Sequence, residues 1–418
     1  MSTATSIRQA LPGGLVEGTC DPAFAPLADE FVRNFTDRGE VGASLCLTLQ
    51  GRTLVDLWGG MAKPKEGIAW KEDTVSIVFS CTKGATALCA HVLKSRGALD
   101  IEAPVSAIWP EFATAGKEAA TVRMMLDHSV GVPALRGPVA GEDIYDWDYM
   151  TGRLAAEAPF WQPGIRNGYH GFTFGWTVGE IVRRVSGRSL GRFFQEAVAG
   201  PLGLDFWIGL PEAIEPRVAP MIYHLADAGE RDASPFLQAA LGDKNSIAAL
   251  FLFNVGVWRQ GGANTRAGHA AEIGAANGIT NGRGLAGMYA PLACGGSLDG
   301  VELVDPDTLA MMGEVSMATH QDATLMIPTR FALGFMKSMD NRRRIGPNQS
   351  ALLGRAAFGH VGAGGSIGFA DPECGLSFGY TMNKMGPGLL LNDRGQALVD
   401  AAYRCLGYRG NASGVWLK

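Results

Sequence analysis

Strand signals lie at the two ends of this chain, and a long helix-rich stretch separates them. Near the start, Val41 to Gly60 (VGASLCLTLQGRTLVDLWGG) alternates apolar and polar residues around Gln50-Gly51, which predicts a β-hairpin. Near the end, Ser366–Ala370 and Leu376–Asn383 flank the turn Asp371-Pro372-Glu373-Cys374-Gly375, a second hairpin. If the two strand regions share one sheet, the helical middle is an insertion and a cleft lies between the two lobes. The expected class is α+β: residues 1–100 and 325–418 as a discontinuous sheet domain, residues 101–324 as a mainly helical one.

Periodicity predicts the helices around that sheet. Phe24, Leu27, Phe31, Val32 and Phe35 recur mostly at three- and four-residue spacing over 22–38. Val75 to Phe79 is mostly apolar and strand-like, Ser80 to Gly97 is a helix with Gly97 as its stop, and Asn392 to Leu406 closes the chain. Between them Thr173–Val185 and Ser189–Val198 give the clearest helical patterns.

Composition removes several function classes. With 36 basic against 41 acidic residues, mixed along the chain, there is no basic footprint for nucleic acid. The longest apolar stretch, Ile247 to Trp258, is interrupted by Asn254 and too short to span a bilayer. Met1 to Gly18 lacks the pattern of a secretory leader. Seven scattered cysteines without a C-x-x-C pair suggest reduced thiols, so the expected location is cytoplasmic. No H-E-x-x-H or Cys/His cluster supplies a metal site, and no cofactor is expected. Oligomeric state leaves no readable mark.

Three segments carry chemistry. Ser80-Cys81-Thr82-Lys83 is an S-x-x-K. Three residues turn a helix by about 300°, so both side chains share one face. A serine hydroxyl needs a nearby base, and a desolvated lysine can serve once its pKa falls. Chance supplies roughly one S-x-x-K in a chain of this length, so the motif alone decides nothing. The second segment, Trp161 to Gly171, is a turn-rich loop that carries Tyr169. A phenolate beside a cation can act as a base, although a lone tyrosine is more often a packing residue. The third, Phe358 to Ser366, is glycine-rich and leaves backbone N–H groups approachable, as an oxyanion hole requires. It ends in Gly364-Gly365-Ser366-Ile367-Gly368, a literal G-x-S-x-G. That elbow needs a strand-to-helix turn, and here a strand follows, so Ser366 reads as structural.

In combination and order these segments resemble the serine β-lactamase and penicillin-binding-protein superfamily, above all class C β-lactamases and family VIII carboxylesterases. The resemblance covers about residues 20–408 and includes Leu126 to Pro133, Pro201-Leu202-Gly203, Gly282 to Ala286 and GFADPECGLSFGYTMN. It implies a β-lactamase/transpeptidase-like fold, an antiparallel sheet flanked by helices, with the active site in the cleft. It also implies Ser80 as nucleophile, Lys83 and Tyr169 as proton-transfer partners, and Tyr169 as the base. The backbone N–H groups of Ser80 and Ala363 would form the oxyanion hole, and His360 and Gly362 would bind substrate. His128 would support its loop.

Two departures matter. Tyr169-His170-Gly171 lacks the asparagine of Y-x-N, and His360-Val361-Gly362 replaces K-T-G, which removes a fixed cation. The expected activity is therefore hydrolysis of small neutral esters, or acyl transfer, with a small-molecule ester as the only partner. A β-lactamase, amide hydrolase or DD-peptidase-like enzyme on the same fold is the alternative. A catalytically idle binding or scaffold relative is the reading from another class. Trp147, Tyr149, Phe251 and Trp258 are candidates for an acyl pocket, with core packing as their default.

Overall fold

The computed structural model describes residues 4–418. The two ends of the chain do share one antiparallel sheet. Its main strands are β1 (Thr5–Leu11), β2 (Gly14–Cys20), β3 (Gly42–Leu49), β4 (Arg52–Lys63), β5 (Phe358–Val361), β6 (Ile367–Asp371) and β7 (Leu376–Met382), and a short eighth strand, Ile68–Ala69, pairs with β4. The main strands lie in the order β1-β2-β4-β3-β7-β6-β5, so the junction of early and late chain is the β3–β7 pair, with Cys46 opposite Gly379. All seven residues of β7 are buried, as a central strand covered on both faces requires.

The helices that matter for the site include α1 (Ala25–Asp37), α2 (Thr82–Ser95), α3 (Thr173–Ser186), α4 (Pro235–Gly242), α5 (Ile247–Phe253), α6 (Gly282–Ala293) and α7 (Asp393–Cys405). Alternate residues of β3 and β7 point to opposite faces. On one face Ser44 Oγ meets Thr381 Oγ1 at 2.9 Å and accepts the Gly282 amide of α6 at 2.9 Å. On the other, Tyr380 hydrogen-bonds to Glu40, which pairs with Arg394 of α7 at 2.7 Å. Helix α6 thus covers one face although it lies within residues 101–324, and α1 with α7 covers the other. The α1 stripe explains why it stays there: Leu27 and Phe31 are fully buried, each contributing roughly 1.5–3 kcal/mol.

Local expectations differ in three places. Residues 5–20, read above only for a leader, form the β1–β2 hairpin. The strand-like run Val75–Phe79 contributes only Ser76–Ile77, in a small separate sheet with Ile279–Thr280 and Phe206–Trp207. The helix expected from Ser80 begins at Thr82, preceded by a turn. Gly97 does stop it, at a φ of 68°.

Candidate active site

The turn into α2 sets the position of Ser80. Phe79, just before it, has a φ of 43°, a left-handed conformation that costs an aromatic residue on the order of 1–3 kcal/mol. Burial of its ring and two hydrogen bonds to its carbonyl hold it there: Thr82 N at 2.9 Å and Thr82 Oγ1 at 2.5 Å. The turn leaves Ser80 half-buried, with Lys83 one turn on.

Lys83 is fully buried, and its Nζ has three neighbours: Ser80 Oγ at 3.2 Å, Gly171 O at 2.7 Å and Ala275 O at 3.0 Å. Among the described residues no carboxylate pairs with it. Burial without a counter-charge drives its pKa well below the ordinary lysine range, which favours the neutral amine. A neutral amine has two N–H bonds and one lone pair. Nζ donates to both carbonyls and to Ser80 Oγ; in the neutral amine the carbonyls keep the two N–H bonds and the lone pair can turn to the Ser80 hydroxyl.

Tyr169 reaches the same point from 86 positions further along the chain. Its side chain interacts with that of Ser80, and Lys83 Nζ stands 4.6 Å from its ring centroid. The ring stacks on Phe331 at 5.8 Å and contacts His128 at 5.0 Å. Burial pushes the phenol pKa upward, so Tyr169 is favoured as a proton donor over a phenolate. A low-dielectric site disfavours both ions, so burial moves the pair toward neutral amine and neutral phenol.

A buried carboxylate that sequence reasoning missed fixes Tyr169. Asp322 accepts the Tyr169 amide at 2.9 and 3.0 Å, along with the amides of Thr324 and Leu325, both at 2.8 Å. The contact spans 153 residues, and an Asp in SMATHQDATL carries no local sign of it.

The backbone amides of Ser80 and Ala363 have no protein partner among the described residues. The second sits in a turn closed by Gly362 N to Ser366 O at 2.7 Å and Gly365 N to Gly362 O at 3.0 Å. Gly362 presses this turn against the nucleophile segment. A Cβ there would fall 2.2 Å from the Val78 carbonyl, so only glycine fits.

His360 and Gly362, the residues expected to bind substrate, lie at the end of β5 and in this turn. Both are buried, and His360 Nδ1 bonds to the Val361 carbonyl at 2.8 Å. Burial pushes the His360 pKa down to about 3, so it offers no cation at neutral pH. His128 supports its loop as expected, its Nδ1 accepting the His170 amide at 3.1 Å. Ser366 is fully buried and its hydroxyl has no partner.

Gly171 explains the lost asparagine. Its carbonyl holds Lys83, and a Cβ at this position would fall 1.8 Å from the ring of Phe251 in α5. Phe251 in turn contacts Tyr169, with ring centroids 6.4 Å apart. The other aromatic candidates lie elsewhere: Trp147 bonds to Glu180, Tyr149 to Arg153, and Trp258 is buried against Phe172. Among the described residues no cluster of side chains could hold a metal ion, and no helix is long and apolar enough to cross a membrane.

Fold and site together define a serine-lysine-tyrosine centre at the edge of an antiparallel sheet. The chain belongs to the Beta-lactamase family, whose model matches residues 28–403. It is 35% identical over 388 residues to "Esterase/beta-lactamase LipL" of Mycobacterium tuberculosis (strain ATCC 25618 / H37Rv), covering 91% of this chain and 86% of the relative. Among solved structures it is similar to a family VIII carboxylesterase, with 38% identity, a TM-score of 0.81, and 93% and 99% of the two chains covered. A penicillin-binding protein homologue from Caulobacter crescentus matches with 35% identity, the same TM-score and the same coverage.

Proposed function

We propose that this chain is a serine carboxylesterase, cleaving small neutral carboxylic esters through an acyl-enzyme on Ser80. The observation that carries it is the Lys83 amine, 3.2 Å from Ser80 Oγ with its other contacts both carbonyls. Ser80 Oγ attacks the ester carbonyl and its proton passes to the Lys83 lone pair. The carbonyl oxygen becomes an oxyanion held by the N–H groups of Ser80 and Ala363. As the C–O bond to the alcohol breaks, the leaving oxygen takes the Tyr169 phenol proton, and the Lys83 ammonium replaces that proton. Water then attacks the acyl carbon, gives its proton to Lys83 by the same route, and the acid leaves as Ser80 regains its hydrogen.

The absence of a cation at His360 favours neutral esters over the carboxylate-bearing β-lactams or peptides of the alternative reading. Names of relatives include both esterase and β-lactamase, and the ester reading takes precedence on this electrostatic ground. We also assign the protein to a reducing, cytoplasmic setting, which its seven free cysteines support, with a small-molecule ester as its partner.

Ser80→Ala tests the reading. Hydrolysis of nitrophenyl butanoate is expected to fall by at least about 10³-fold with the fold intact by circular dichroism. Intact mass should show one acyl adduct in the wild type and none in the variant. Undiminished turnover by the variant, or faster turnover of a chromogenic cephalosporin than of any ester, would overturn it.

A further inference from the structure

Beside the Ala363 amide opens a cavity of about 260 Å³, walled mainly by Ala226, Phe236, Leu237, Ile345, Met385 and Leu389. Ala363 is the site residue that lines it; Ser80, Lys83 and Tyr169 do not. Phe251 stands between: its ring is 6.4 Å from Tyr169 on one side and 5.7 Å from Phe236 on the other. Helices α4 and α5 that carry these rings form their own apolar cluster, Phe236, Ala240, Ala248 and Ala249, apart from the main core. The wall is therefore a separate layer laid over the catalytic triad and joined to it through Phe251.

A tetrahedral centre on Ser80 has three substituents to place besides the serine oxygen. Its oxyanion faces the amides of Ser80 and Ala363. Its alkoxy group must reach the Tyr169 hydroxyl to be protonated. The acyl chain is what remains, and the cavity that starts at Ala363 but excludes Tyr169 is where it can go. Among its polar lining groups His224 Nε2 meets Glu230 at 2.8 Å and Ser234 caps α4, while Gln349 Oε1 is buried with no partner among the described residues.

We propose that this cavity is the acyl-chain pocket, that it takes uncharged, apolar acyl groups, and that Phe236 and Leu237 set the length accepted. The proposal rests on the carboxylesterase reading. At about 30 Å³ per water-sized group, the volume holds roughly eight heavy atoms. It thus admits a chain of medium length or an aryl ring and no long lipid chain. Apolar contact selects by length because each methylene changes the rate by roughly 10-fold or more.

The test keeps a nitrophenyl leaving group and varies the acyl chain from acetate through butanoate, hexanoate and octanoate to decanoate. Phe236→Ala is expected to raise kcat/KM for decanoate relative to acetate by at least about tenfold, and Leu237→Trp to lower the octanoate-to-acetate ratio by a similar factor. A second series holds the acid constant and lengthens the alcohol, and neither variant should change its ratios. Labelling of Ser80 by nitrophenyl alkylphosphonates of the same lengths, read by intact mass, should follow the acyl order in each variant without requiring turnover. Shifts in the alcohol series in place of the acyl series, or unchanged acyl ratios in both variants, would overturn the proposal. A wild type that is labelled with the expected length preference yet turns over no ester would uphold the pocket and sink the carboxylesterase reading.

Discussion

Ser80 and Ser366 both sit in motifs that name a nucleophile, one in S-x-x-K and one in G-x-S-x-G. The structure gives them opposite surroundings. Ser80 is half-buried, follows a left-handed Phe79, keeps a free amide, and has an amine 3.2 Å from its hydroxyl. Ser366 is fully buried, leads into β6, and has no partner for its hydroxyl. Its carbonyl, however, accepts the Gly362 amide and closes the turn that presents Ala363. The second serine thus supports through its backbone what the first does through its side chain. A motif identifies a nucleophile only when the element around it exposes the hydroxyl and supplies a base.

The largest effects that sharpen this contrast come from the base itself. Lys83→Met should lower kcat/KM for nitrophenyl butanoate by about 10³-fold or more, and Tyr169→Phe by about 10²- to 10⁴-fold. With neutral Lys83 as the acceptor, the wild-type rate should rise with pH through a limb below the ordinary lysine range. A Lys83→Met enzyme that keeps near-normal activity would give the proton to Tyr169 alone and favour the phenolate mechanism.

How much of this contrast could be read from sequence follows from distance along the chain. The i, i+3 spacing of Ser80 and Lys83 is local, so helical geometry alone brings them together. Tyr169 and Ala363 are far from them in sequence, and only resemblance to a family connected the three. Asp322 had neither kind of signal, since its grip on the Tyr169 amide is a tertiary contact to backbone. The filling of the Gly171 site by Phe251 was equally hidden, because an absent side chain does not say what occupies its place. In the fold, the β3–β4 hairpin was legible from alternation and turn chemistry. Strand β1 was not, because it is an edge strand whose residues are mostly exposed on both faces, which erases the alternating pattern.

A smaller effect separates the two serines through their neighbours. Around Tyr169 lie His128, His170 and His360, all buried with pKa values pushed below the ordinary 6.5, the last two to about 3. Above the unfolded value of 6.5 both states are neutral and the stability is complete. As pH falls below it, the unfolded chain takes up protons the native site refuses, so stability declines toward the folded values, by up to about 1.4 kcal/mol per pH unit for each histidine. Urea midpoints should therefore drop between about pH 7 and pH 5, and less steeply in His360→Asn. Equal slopes in the two proteins would mean that His360 is charged in the native state, and the ground for favouring neutral esters would go with it.

The smallest effect belongs to Ser366 itself. Its buried hydroxyl has no hydrogen-bond partner, so replacing it by a methyl removes a desolvated polar group without breaking a bond. Ser366→Ala keeps the carbonyl that closes the Ala363 turn, so kcat/KM should stay within about twofold of wild type and stability should change by less than about 1 kcal/mol, in either direction. Ser366→Pro keeps that carbonyl as well but fixes φ near −65° and brings a ring into fully packed space, so it should lose activity that Ser366→Ala retains. That split would locate the contribution of Ser366 in its backbone. A large loss in Ser366→Ala, with unfolding unchanged, would instead make its hydroxyl a participant and remove the basis for treating the two motifs differently.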